Sequence, residues 1–237
     1  MRIGSLFSGI GGLELGLEWA GLGEIVWQVE IDPFCRSQLA KHWPSVKRYE
    51  DVKAIGSSDL CPVDLVCGGF PCQDLSSAGK RAGLAGARSG LWFEYLRIVS
   101  ELRPAWVVVE NVASGADVWV DTVHAGLAER GYVCFSIPLS AADVGAPHIR
   151  ERVFVLARHT DARPQSMGAE HAQVERMSRA SDTFPGWANY PDLSVVDGLP
   201  CELAALGNAV VPACAEVIGH VIRLIEAPIA GGLIGDK

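Results

Sequence analysis

VDLVCGGFPC, Val63 to Cys72, sets a short apolar run against a cluster of chain breakers. Val63 to Cys67 has the composition of a strand buried on both faces of a parallel sheet, and Gly68, Gly69 and Pro71 end it. Cys72 therefore falls at the carboxyl end of a strand. In open α/β sheets that edge is where ligands bind, so the thiol is placed for chemistry, although a lone cysteine is more commonly a small buried hydrophobe.

Outward from this stretch, strand and helix signals alternate. Toward the amino terminus, Arg2 to Phe7 reads as a first strand, Gly12 to Ala20 as an amphipathic helix, Ile25 to Ile31 as a second strand, and Pro33 to Trp43 as a helix stopped by Pro44. Toward the carboxyl terminus come a helix from Ser89 to Leu102, the apolar strand Ala105 to Val109, a helix from Asp117 to Arg130, and strands Tyr132 to Leu139 and Arg152 to Ala157. Strands alternating with helices of this length imply βαβ units, hence an α/β fold with a mostly parallel, doubly wound sheet. From Arg158 to Leu206 the pattern fails. That stretch is polar and carries Pro164, Pro185, Pro191 and Pro200, which suits a small irregular insertion, and a closing helix runs from Pro212 to Glu226.

The chain has 237 residues, 49% of them hydrophobic and 20% charged, enough to bury a sizeable core in one α/β domain with a small appendage. Seven cysteines, with no CxxC pair, argue against a disulfide framework and a zinc site, and so for a reducing, cytoplasmic setting. Met1-Arg2 leads straight into IGSLF, and no apolar run approaches the roughly 18 residues of a membrane span. A soluble, unexported protein is the expectation. The net charge of -8 hides an asymmetry: Glu14 to Asp64 carries nine acids against five bases, whereas Gly79 to Gly90 holds Lys80, Arg81 and Arg88 and no acid. A phosphate-facing groove needs only such local positive potential.

The first strand ends in FSGIGG, Phe7 to Gly12, whose glycines let backbone approach a cofactor closely. Glu30, about twenty residues on at the end of the second strand, is placed for a ribose hydroxyl pair. The turn lacks GxGxxG spacing and a nearby base, so it serves a pyrophosphate poorly. Glu14, Glu30, Asp32 and Asp51 make the corner acidic, which suits a cationic ligand bearing ribose and adenine: S-adenosylmethionine fits better than NAD. A thiol facing a methyl donor points to one reaction in particular. Cytosine C5 is a poor nucleophile, but thiolate addition at C6, helped by a proton at N3, turns the ring into an enamine that attacks the methyl group. Glu110, after the apolar AWVVV, lies at the same sheet edge as Cys72, and apolar neighbours raise a carboxyl's proton affinity as general acids require.

The chain resembles the DNA (cytosine-5)-methyltransferase family. FSGIGG at Phe7, GGFPCQ at Gly68, ENV at Glu110, GAPHIRERVF from Gly145 to Phe154 and LGNAVVP from Leu206 to Pro212 look like that family's signature blocks, in its order. The resemblance implies a Rossmann-like S-adenosylmethionine-dependent methyltransferase fold with a small target-recognition insertion. It implies Cys72 as nucleophile at C6, Glu110 as partner of N3, Arg152 near the pyrimidine O2, and Arg150 supporting the loop or a phosphate. Phe7, Gly9, Gly11, Leu13, Glu30, Ile31, Asp51, Val52, Pro71, Leu91, Asn208 and Val210 match positions that line the family's cofactor pocket, with Asp51 accepting from the adenine amino group. The partner would be double-stranded DNA with its target base flipped out, bound by a monomer. The expected organisation is a catalytic and cofactor-binding domain over 1–157, a reduced target-recognition region over 158–206, a returning helix over 207–226 and a tail over 227–237. With so small a reader a short or relaxed DNA site is expected, read from among Arg158, Arg163, Gln165, Gln173, Arg176 and Arg179. Two departures from the family pattern are His148, where Gln is usual, and the reduction of an Arg-rich block to LSVVDGLPCELA. A catalytically silent DNA-binding relative and an RNA cytosine methyltransferase remain as alternatives, the first opposed by the presence of Cys72, Glu110 and Arg152.

Overall fold

The computed structural model describes residues 1–71, 90–162 and 209–227. Seven strands form one sheet in the order β3-β2-β1-β4-β5-β7-β6. They are β1 (Arg2–Leu6), β2 (Glu24–Val29), β3 (Lys47–Tyr49), β4 (Leu65–Gly69), β5 (Trp106–Val112), β6 (Tyr132–Ser140) and β7 (Glu151–His159). The pairs β1·β2, β1·β4, β2·β3 and β4·β5 are parallel, and β7 runs antiparallel between β5 and β6. This is the mostly parallel, Rossmann-like α/β sheet that alternating apolar strands and amphipathic helices build.

Helices cover both faces. On one lie α1 (Gly12–Trp19) and α5 (Pro212–Glu226), packing Leu13, Leu17, Ala215, Ile218 and Ile222 onto Ile3, Leu65, Val108 and Leu156. On the other lie α3 (Gly90–Leu102) and α4 (Ala116–Ala128), whose Trp92, Tyr95, Trp119 and Val123 meet Leu6, Val66, Val107 and Val155. The remaining helix, α2 (Pro33–His42), joins β2 to β3 and is started by Asp32, whose carboxylate accepts from the Cys35 amide at 2.9 Å. Neighbouring residues of β4 and β5 alternate between these two cores, which is why LVC, Leu65 to Cys67, and AWVVV are apolar at every position rather than at every second one.

Several features differ from the sequence reading, among them β2, which ends at Val29 rather than Ile31, and β5, which runs past Val109 to Val112 and so contains Glu110. β3 is an extra edge strand of three residues, too short for a period to show. The first strand stops at Leu6, and Phe7 bends into the left-handed region at φ 55°, an uncommon conformation for a non-glycine residue. The last strand, expected to end at Ala157, runs to His159 and so includes Arg158. Among the described residues no helix is long and apolar enough to cross a membrane.

Candidate active site

At the carboxyl edge of the parallel strands the glycine turn after β1 is held by a carboxylate. Glu30 accepts the Gly9 amide at 2.7 Å through one oxygen and the Asp32 amide at 2.8 Å through the other. Gly9 and Gly11 take φ values of 55° and 91°, which glycine adopts without steric cost. Gly12 serves a close approach instead: a Cβ there would lie 2.1 Å from the Val210 carbonyl oxygen. FSGIGG and AVVP, some two hundred residues apart, thus meet backbone to backbone. Asp51 caps the 3-10 turn Val52–Ala54, accepting the Lys53 amide at 2.9 Å, with Val52 buried beneath. Ile31, beside Glu30, is 71% exposed, an apolar side chain presented at a sheet edge.

A second cluster is built from β4, β5 and β7. Register pairs Gly69 with Glu110 and Val112 with Arg152. A side chain at position 69 would put its Cβ 2.4 Å from Glu110 Oε2, so glycine leaves the space that the carboxyl fills. Glu110 is 7% exposed, and its Oε1 pairs with Arg152 Nε at 2.8 Å. Burial pushes its pKa up and outweighs the opposing pull of Arg152, then of Arg150. Arg150 reaches from just before β7 to donate to the Ala209 carbonyl at 2.8 Å. Desolvation first, and the neighbouring guanidinium of Arg152 second, bring its pKa down to about 10. Asn111, next on β5, donates to the Phe70 carbonyl at 3.2 Å and so fixes where the chain leaves β4 for Pro71.

Of the residues singled out in sequence, Phe7, Gly9, Gly11, Glu30, Ile31, Asp51, Val52 and Pro71 belong to the turns and strand ends of this edge, with Leu13 opening α1 and Leu91 opening α3. Glu110, Arg150, Arg152 and Val210 gather beside them. Cys72, Asn208, the bases Lys80, Arg81 and Arg88, and the reader candidates Arg163, Gln165, Gln173, Arg176 and Arg179 lie outside the described residues. Two expectations are corrected. Arg158, expected to open the insertion, sits instead in β7, where it pairs with Glu226 at 2.8 Å and donates to the Ala162 carbonyl. Glu14 does not line an acidic corner, because α1 turns it onto the sheet, where it is wholly buried. Gly69 and Asn111 were read only as chain punctuation and as part of ENV. The signal for Gly69 was its position opposite a carboxyl on the next strand, which register supplies and composition does not.

Sheet order, glycine turn and the Glu110–Arg152 pair define a Rossmann-like α/β domain with its candidate site at the carboxyl edge of the parallel strands. The profile of the C-5 cytosine-specific DNA methylase family matches residues 1–194, and the chain belongs to that family. Type II methyltransferase M2.BsuMI of Bacillus subtilis is 38% identical over 168 residues, covering 66% of this chain and 42% of that protein. M.AquIA of Picosynechococcus sp. is 36% identical over 175 residues, 64% of this chain and 69% of that protein. The crystal structure of a mutant of Spodoptera frugiperda DNMT2 superposes with a TM-score of 0.54 at 25% identity, over 71% of this chain and 53% of that one. The chain spans about half the length of the curated relatives it matches first.

Proposed function

We propose that this protein transfers a methyl group from S-adenosylmethionine to C5 of cytosine in double-stranded DNA. The observation that carries the reading is the Glu110–Arg152 pair seated against Gly69, two residues before Pro71 and three before Cys72, on the edge that holds the glycine turn and Glu30. The residues present fit the cofactor. Glu30 and Asp51 offer carboxylate acceptors to ribose and adenine, and exposed Ile31 an apolar surface. No base stands at the turn to oppose a cation. Phe7, Gly9, Gly11, Leu13, Val52, Pro71, Leu91, Asn208 and Val210 would complete the pocket. When bound, the cofactor supplies an electrophilic methyl group.

The chain's own residues do the rest. The Cys72 thiolate adds to C6 of an extruded cytosine, since C6 cannot be reached inside a duplex. Glu110, whose burial favours its protonated form, gives a proton to N3 as the C5–C6 double bond becomes an enamine. Arg152 pairs with that carboxyl through Nε, and its guanidinium would meet the pyrimidine O2. Arg150 ties the start of β7 to the segment before α5, so the two halves of the pocket keep one spacing. Once C5 carries the methyl group, its proton leaves to solvent, the sulfur departs from C6 and N3 returns its proton to Glu110, so the aromatic ring, the thiolate and the carboxylic acid are restored.

Transfer of labelled methyl from S-adenosylmethionine to DNA and to RNA tests this, with Cys72→Ser as control and 5-fluorocytosine DNA as covalent trap. Label on C5 of DNA cytosine and a trapped adduct, both lost in the variant, are expected. Label on RNA alone, or cofactor binding with neither product nor adduct, overturns the assignment in favour of an RNA enzyme or a silent DNA-binding relative.

A further inference from the structure

Beneath the proposed cofactor turn lies a cluster of buried polar side chains that no step above uses. Glu14, on the first turn of α1, is 0% exposed, and neither carboxyl oxygen has a protein partner. Gln28 on β2 is equally buried, with both amide atoms unpartnered. Register puts Gln28, Ser5 and Cys67 in one row across β2, β1 and β4, and side chains of a registered row share a face. Cys67 belongs to the core under α1 and α5, so this row is the floor on which Glu14 rests. Ser5 and Ser8 flank the carboxyl and favour its anion, the Ser8 hydroxyl donating to Ser5 at 2.9 Å and leaving the Ser5 hydrogen to the carboxyl side, but burial outweighs them. Buried polar atoms left unpaired by protein are met by water or by a change of protonation.

The cluster's position gives it a use. Two residues on come Phe7, just past the end of β1, and Gly69 of β4, with Glu110 opposite Gly69, so the cluster lies one side-chain layer, about 7 Å, below the edge where cofactor and base would meet. In so dry a place a charge is felt at that range far more strongly than in water. The other ionisable groups around Glu14 are few. Glu30, just past β2, and Cys67 on β4 are its electrostatic neighbours. On its own helix Glu18 is engaged by Trp43 Nε1. Along α5, Glu216 faces His220, Arg223 binds the Ala20 carbonyl at the far end of α1, and Cys214 donates to the Ser140 carbonyl. None of the described groups gives Glu14 a counter-cation, and a cationic ligand at the edge above would.

We propose that Glu14 senses the charge of the cofactor: binding of the sulfonium form moves the Glu14 proton to solvent, and the neutral thioether left after methyl transfer lets the proton return. Glu14 is thereby a positioning residue for charge, favouring methyl donor over spent product as pH rises. The proposal rests on the S-adenosylmethionine reading above. Burial, its largest cause, raises the Glu14 pKa to about 7, so the switch lies in the working range.

Isothermal titration of the full chain with S-adenosylmethionine, S-adenosylhomocysteine and sinefungin, in buffers of different ionisation enthalpy between pH 6 and 8.5, tests it. Sinefungin carries an amine where the sulfonium stands, so it keeps the charge and lacks the labile methyl. Release of about half a proton at pH 7 is expected with the two cations and none with the thioether. The affinity ratio of donor to product should rise at least fivefold from pH 6 to 8.5, and Glu14→Gln should abolish both effects while still binding all three ligands. That variant also separates Glu14 from His220. Equal proton counts for cation and thioether, or counts unchanged by Glu14→Gln, overturn the proposal. Should the variant not fold, the three wild-type titrations decide alone. Failure of all three ligands to bind instead overturns the cofactor assignment and this proposal with it.

Discussion

Gly69 shows how one missing side chain shapes the site. Its absent Cβ is what admits the Glu110 carboxyl, 2.4 Å from where that atom would stand. The carboxyl is held on its other side by Arg152, so it has nowhere to retreat without breaking the pair. Gly69→Ala is therefore expected to lower methyl transfer and adduct formation at least 100-fold while costing about 1–3 kcal/mol of stability, the usual range for overpacking. Labelled transfer and thermal melting, measured side by side, check it; near-wild-type transfer would show that Glu110 can move freely. Glu14 carries the complementary prediction, in stability. Its folded pKa of about 7 stands above its ordinary value of 4.5 because burial disfavours the anion. The folded state then holds the proton more tightly than the unfolded chain, so this stabilisation is complete below about pH 4.5 and lost as pH rises through 7. Urea melts from pH 4.5 to 8 should show the wild type losing on the order of 3 kcal/mol that the Glu14→Gln protein does not lose. Parallel curves for the two proteins would contradict it.

Elements explain what the sequence made legible. β1, β2, β4, β5 and all the described helices except their last residues are readable because each has a length and a period set by what it buries. β3 is not, since three residues of KRY at an edge bury little and follow no pattern. The reversal of β7 between β5 and β6 leaves no mark either, because a strand buried on both faces reads the same in either direction. A slip in register between Ile3 and Gly4 turns Val26 and Trp27 toward the same core, which strict alternation would have denied. Glu14 was misread for a related reason: acids counted along a chain do not say which one a helix rotates inward. The signature blocks, by contrast, were legible but not their mutual contacts. Gly12 against Val210 is such a contact, joining the start of α1 to the approach to α5. A methyl group there meets backbone, which cannot rotate away. Gly12→Ala should thus lower the melting temperature by about 5 °C or more and weaken S-adenosylmethionine binding at least tenfold. Calorimetry would report both, and an unchanged affinity would show that the α1–α5 seam does not shape the pocket.

Across the whole molecule, the segment 163–208 leaves and re-enters a body that is fastened independently of it. At one edge of the sheet Arg150 binds the Ala209 carbonyl. At the other, Glu226 at the end of α5 accepts from both Trp106 at 3.0 Å and Arg158 at 2.8 Å, linking the first residue of β5, the next-to-last of β7 and the last helix. Both clamps lie within residues described here, and neither needs the intervening segment. Between them runs β7, nine residues long, so the ends of that segment are separated by roughly 30 Å. A flexible Gly-Ser linker of about 20 residues in place of 164–205 has the reach to rejoin them. If the body alone makes the cofactor site and the segment positions DNA, that protein should melt within a few degrees of the parent and bind S-adenosylmethionine within about threefold. It should transfer no measurable methyl to DNA, because a base must be placed at the edge before Cys72 and Glu110 can act on it. Methylation that survives the replacement would locate DNA reading on the body itself, with the basic stretch from Lys80 to Arg88 next in line for substitution.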